Sequence, residues 1–383
     1  MIFVLLFSLV NCKPATTETS KKETSENKAE SKKEMNSYKI AVGTYTRKEG
    51  HVDGKADGVY LLEMDKESGR LSIQDTIKNL INPSYLTIDD NILYAVNEIA
   101  DGTENGAGTI TKIDLNDFST SVLKTGGDAP CHVLKIKDRP YLVVSNYMGV
   151  VSLFRTEPSF ELLDSYSPQG SFAGPPRQES SHPHMAMLAP DNKTILISDL
   201  GMDNLIHLHI EEEKLVEVAH TVIGEGSGPR HMVLHTNNNI YVLNELNHSI
   251  DVLNWEDSSQ PLRLKQSQST LPQGNKNVFP AAIHLHPSEK YLYASNRGVN
   301  NDAEQSISLF SIEDDGMLKY VESYNTGGMV PRDFTISPNG KFLLVANQNS
   351  GNIVTFRIDE NSGKLTKEDN EFSIKTPVCL KFY

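Results

Sequence analysis

The sequence predicts an all-β fold: a seven-bladed β-propeller with four antiparallel strands per blade, closed by N- and C-terminal strands that share one blade. Three observations predict it. Prolines introduce a short apolar strand at intervals of about 50 residues, each interval carries apolar alternation of period two, and the two ends of the chain hold complementary fragments of one unit.

The anchors are Pro83, Pro130, Pro229, Pro280, Pro331 and Pro377, with the HPHM segment at His182 filling the third slot; the spacings are 47, 52, 47, 51, 51 and 46. After each of the first six anchors an apolar run ends in an amide or carboxylate: Asn97, Asn146, Asp199, Asn244, Asn296 and Asn347. Seven anchors imply seven units.

The copy from Pro331 shows the unit. Asp333 to Ser337 reads as a strand, Pro338-Asn339-Gly340 as a turn, Phe342 to Ala346 as a second strand and Ile353 to Asp359 as an alternating third. An Asn-Ser-Gly turn then leads to an edge strand near Leu365. Four antiparallel strands repeated in this way make propeller blades. The segment from Tyr38 to about Leu71 has the later strands of a blade without the first, while Pro377-Val378-Cys379-Leu380 is a first strand without the rest. Pairing them closes the ring and removes its open edges. One tryptophan, Trp255, and no Trp-Asp repeat argue against a WD40 propeller.

Residues 1–12 and 13–36 stand apart from the propeller at 37–383. Ile2 to Val10 is an apolar run of signal-peptide length, and Leu9-Val10-Asn11-Cys12 resembles a bacterial lipobox, with Cys12 as the lipid-attachment residue. Asn11 and the missing basic n-region depart from that pattern. Lys13 to Asn36 is almost wholly polar and is expected to be a disordered tether. This implies a lipid-anchored protein of the cell envelope; without the anchor the protein is cytoplasmic. A net charge of −14 disfavours nucleic acid as a partner. Three cysteines without CxxC spacing argue against structural zinc, and Cys131 and Cys379 read as buried thiols.

The start of a blade's first strand and the end of its second lie at one rim. In the copy from Pro229, a hairpin turning on Asn237-Asn238 places Arg230 opposite Glu245. His184 and Arg297 take rim positions in neighbouring copies, and His132 and Arg332 are first-strand residues of two more. Taken singly, each of these is more often a structural group than a catalyst.

The strings GPRHMVLH with YVLNEL, VSNYMGVVSLF, RQESSHPHMAMLAPD with SDLGMDN, and PRDFTISPNGKFLLVANQNSGNIVTFRID with the ending PVCLKF resemble the seven-bladed propeller lactonase family. That family includes bacterial 6-phosphogluconolactonases and fungal carboxymuconate lactonizing enzymes. The resemblance spans about residues 38 to 383 and implies that His184, Arg230, Glu245 and Arg297 are the catalytic set. It implies a sugar-lactone substrate and needs neither cofactor nor metal; the His182/His184 pair lacks a carboxylate cluster to complete a metal site.

In the expected chemistry Glu245 takes a proton from water, Arg230 orients Glu245 and holds the substrate, and Arg297 and His184 supply positive charge to the oxyanion. Arg177, Arg332 or His132 would bind further groups of the substrate, a phosphate among them. Two other functions fit the same fold: an envelope-tethered binding propeller without catalysis, and a lactonizing cycloisomerase.

Overall fold

The computed structural model describes residues 36–383 apart from 51, 103–105, 171–173, 175, 272–276 and 299–302. Cys12, the leader and the tether therefore lie outside the described residues. Among the described residues there are no helices, and none that could cross a membrane.

Seven sheets carry the repeat. Six have four strands, and the seventh, begun by Pro331–Ile336, adds the short strand Phe372–Ser373. The closing sheet runs in the order Pro377–Phe382, Ser37–Thr44, Gly58–Asp65, Leu71–Lys78, so the chain's last strand pairs with its first. The seven first strands neighbour one another in sequence order, and Pro377–Phe382 touches both Pro331–Ile336 and Pro83–Asp89. The ring is closed.

Alternation along the third strands explains the packing. Val354, Phe356 and Ile358 face Tyr293 and Leu309 of the preceding blade, whereas Ile353 faces Leu62 and Leu380 of the closing blade. Each sheet thus buries both faces, and seven apolar clusters fill the seven gaps between neighbouring sheets. Burying a side chain such as Phe356 or Leu380 in this way contributes roughly 1.5–3 kcal/mol. Cys131 and Cys379 are both free and buried.

Two details differ from the sequence expectation. The third anchor is Pro183, where that blade's first strand begins, and not His182. The hairpin of the Pro229 blade turns through three residues, because Asn238 adopts a left-handed conformation (φ 65°) and its N–H donates to the His235 carbonyl. The register then pairs His231 with Leu243 and Pro229 with Asn244, leaving Arg230 in a β-bulge rather than opposite Glu245. A register shift of one residue exchanges the faces of a strand. The bulge undoes that exchange at the rim and turns Arg230 inward.

The same bulge follows the anchor proline in every blade from Pro83 to Pro331. It sets one inward-facing residue per blade just after the proline, and Cys131, His184, Arg230 and Arg332 hold this place.

Candidate active site

The second-strand ends are built by a recurring amide. The Asn244 side chain donates to Ser249 Oγ and Asp251, Asn97 to Thr109 and Thr111, and Asn296 to Ser306 and Ser308. These amides tie the second strand to the third and are framework. After Asn97, Asn146, Asn244 and Asn296 the next residue is presented to the funnel: Glu98, Tyr147, Glu245 and Arg297. They line a cavity of about 580 Å³ together with Cys131, His184, Arg230 and Arg332 from the bulges, and Arg177 from a loop.

Glu245 is the centre of this cavity's charge. Its side chain is 2% exposed and meets three guanidinium groups: Arg297 Nη2 stands 2.9 Å from Oε1, Arg177 Nη1 donates to the same oxygen, and Arg230 Nε lies 3.0 Å from Oε2. The Arg230 contact is ionic without hydrogen-bond alignment. Burial raises the carboxyl pKa, but Arg297, Arg177 and Arg230 outweigh it and hold Glu245 ionised, well below the usual carboxylate range.

Arg230 is itself buried, hydrogen-bonded to the Ala281 carbonyl and within 3.1 Å of His231 Nε2. Arg177 also binds the Tyr147 hydroxyl, from Nη2 at 3.1 Å and Nε at 3.3 Å, and crosses the face of Phe279. Arg332 approaches Glu98 Oε2 at 3.8 Å and lies over the ring of Tyr45, whose hydroxyl donates to Glu98 at 2.7 Å.

Burial, and then the nearby Arg230 charge, push His184 well below the ordinary imidazole pKa. It is therefore neutral at physiological pH, and the expectation that it adds positive charge is corrected: it offers a ring nitrogen for hydrogen bonding. Its Nδ1 lies 3.9 Å from Cys131 Sγ, and burial raises the pKa of that thiol.

The structure brings together His184, Arg230, Glu245, Arg297, Arg177 and Arg332. His132 is not among the residues lining the cavity. It lies one residue beyond the bulge position, which Cys131 occupies, and its ring packs tilted against Tyr85, with centroids 4.4 Å apart, and edge-on to His231 at 6.2 Å. Sequence reasoning missed Glu98, Tyr147 and Tyr45. A usable signal existed for the first two, because Glu98 follows Asn97 and Tyr147 follows Asn146 as Glu245 follows Asn244. Among the described residues no group of three His, Cys, Asp or Glu side chains could hold a metal ion.

A family model described as "Lactonase, 7-bladed beta-propeller" matches residues 39–382. A 6-phosphogluconolactonase of Bacillus subtilis is 32% identical over 91% of this chain and 99% of its own length. One of Formosa agariphila is 31% identical over 89% and 98%. The solved structure of a periplasmic gluconolactonase of Pseudomonas aeruginosa superposes with a TM-score of 0.78 at 28% identity, covering 90% of this chain and 99% of that one. The ring of seven sheets and the match over nearly the whole propeller agree, and the chain belongs to the seven-bladed β-propeller lactonase family.

Proposed function

We propose that the cavity hydrolyses 6-phosphogluconolactone to 6-phosphogluconate, with water activated by Glu245. The observation that carries this reading is a buried, ionised carboxylate sharing one cavity with several guanidinium groups and a neutral imidazole. Water adds to the lactone carbonyl carbon as Glu245 takes its proton. The tetrahedral oxyanion is stabilised by the Arg297 charge and a His184 N–H. Collapse breaks the bond to the ring oxygen, which receives the proton, and the new carboxyl group ionises into solvent. Arg332 and Arg177 hold the phosphate.

The test is turnover of 6-phosphogluconolactone and of gluconolactone by the purified protein, each corrected for spontaneous opening. Loss of the enzymatic rate in Glu245→Gln supports the reading; no turnover of either lactone by the wild type rejects it in favour of a binding propeller. Turnover of a muconate substrate instead would favour the cycloisomerase.

A second reading, hydrolysis of unphosphorylated gluconolactone in the envelope, is favoured by the lipobox-like Leu9-Val10-Asn11-Cys12 and by the resemblance to the periplasmic gluconolactonase. Mass spectrometry of the mature N-terminus tests the lipid anchor on Cys12, and the ratio of the two lactone rates tests the substrate.

A further inference from the structure

A carboxylate clasped by three guanidinium groups is well placed to stay ionised and poorly placed to take a proton, because each cation that stabilises the anion weakens it as a base. The three clasps are not equivalent. Arg230 and Arg297 belong to the sheet framework, one in the bulge of a first strand and the other at the end of a second, and their side chains are 3% and 15% exposed. Arg177 reaches in from the loop before Pro183–Leu188 and is 38% exposed at the cavity.

That loop is anchored beside Arg177. The Gln178 amide is fully buried and donates to the Leu200 carbonyl and to Asp203 Oδ1, both at 2.8 Å. Arg177 adopts a left-handed backbone conformation (φ 75°), which is costly for a residue with a side chain and which directs it into the funnel. Its guanidinium then joins two blades, bonding the Tyr147 hydroxyl on one and Glu245 Oε1 on the other. Arg297 shares Oε1, so Glu245 keeps a cation on each oxygen if Arg177 leaves.

We infer that Arg177 is a specificity-determining counter-ion: the phosphate monoester of a phosphorylated sugar lactone draws its guanidinium away from Glu245 Oε1, removing one of the two cations on that oxygen and so making the carboxylate a stronger base towards the proton of the attacking water. The inference rests on the lactonase reading above and deepens it. A planar guanidinium pairs with a phosphate dianion through two parallel hydrogen bonds. Binding energy from a remote part of the substrate is thereby spent on the chemical step. An unphosphorylated lactone leaves Arg177 on the carboxylate and turns over slowly.

The experiment supplies the substrate in two pieces. Gluconolactone hydrolysis by the full-length protein is measured with increasing inorganic phosphite, alongside 6-phosphogluconolactone alone. Phosphite is expected to raise the gluconolactone rate several-fold and saturably. The acid limb of the kcat profile is expected at higher pH for 6-phosphogluconolactone than for gluconolactone. In Arg177→Gln, gluconolactone should turn over faster than in the wild type and no longer respond to phosphite. Turnover of 6-phosphogluconolactone with no phosphite response in the wild type overturns the inference and leaves the lactonase reading standing. An Arg177→Gln variant slowed by one factor on both lactones, with unmoved acid limbs, overturns it as well, since that is the behaviour of a structural residue. If the wild type opens neither lactone, the underlying reading falls, and this inference with it.

Discussion

Arg230 sits in the bulge behind Pro229, and its Nε stands 3.0 Å from Glu245 Oε2 across the mouth of the same hairpin. The two side chains are 3% and 2% exposed. The bulge is what lets them meet, because without it the three-residue turn at Asn238 would leave Arg230 on the wrong face of its strand.

Replacing Glu245 by Gln keeps the shape of the side chain and removes its charge. We expect kcat for lactone opening to fall by about 10²–10⁴-fold, the range for loss of a general base. The variant should retain its β-sheet circular dichroism and melt at a lower temperature, because breaking a buried ion pair costs about 3–5 kcal/mol. The folded-state pKa of Glu245 is depressed, so this stabilisation is fully present above the unfolded value near pH ~4.3 and is lost only as pH falls towards the depressed value. The gap in Tm between the two proteins should therefore be constant from neutral pH down to about pH 5 and narrow below.

Arg230→Lys tests whether charge alone suffices. Lysine keeps the cation but loses the fork that reaches Glu245, the Ala281 carbonyl and His231 together. A large loss of kcat/KM is expected, with little recovery relative to Arg230→Met. Activity close to that of the wild type would show that the fork geometry is immaterial.

His132 and His184 should behave differently. His184→Asn removes a group at the cavity and is expected to lower kcat by about 10²–10³-fold, as loss of an oxyanion donor does. His132→Asn alters the packing against Tyr85 and should lower Tm while leaving kcat little changed. Equal losses of kcat in the two variants would mean that His132 reaches substrate after all.

Burial holds His132, His184 and His231 neutral, with folded pKa values well below that of a free imidazole. The unfolded chain binds more protons there than the native state does, so stability rises with pH through this window. It is complete above the unfolded value of about 6.5 and declines as pH falls below it. Melting temperature should climb from about pH 5 to about pH 7 and then level off, and His231→Gln should flatten the climb. A melting profile that is flat in the wild type would contradict the neutral burial of these rings.

Closure of the ring depends on seven residues at the very end of the chain. Leu380 is buried between the closing and Pro331 blades, and Leu380→Ala should cost about 2–5 kcal/mol. Deletion of residues 377–383 removes an entire innermost strand and exposes the edge of Ser37–Thr44, so loss of cooperative unfolding and aggregation are expected by calorimetry and light scattering.

The number of blades, their four strands and the shared closing blade were legible in the sequence, because they are written as local burial patterns: a proline before each inner strand, alternation in the third, and half-units at Tyr38 and Pro377. Arg230, Glu245, Arg297 and His184 were legible as rim positions for the same reason. Arg230 was legible as a partner of Glu245, and Arg177 was not. Arg177 comes from a loop 68 residues away along the chain, and only the closed ring brings that loop to the Pro229 blade. Whether a residue faces the funnel turns on a bulge of one residue, which admits Cys131 and turns His132 aside. Periodicity records which side chains are buried and carries no information on such single-residue shifts, whereas the charge state of Glu245 and the neutrality of His184 follow from distances that exist only once seven sheets have closed around one axis.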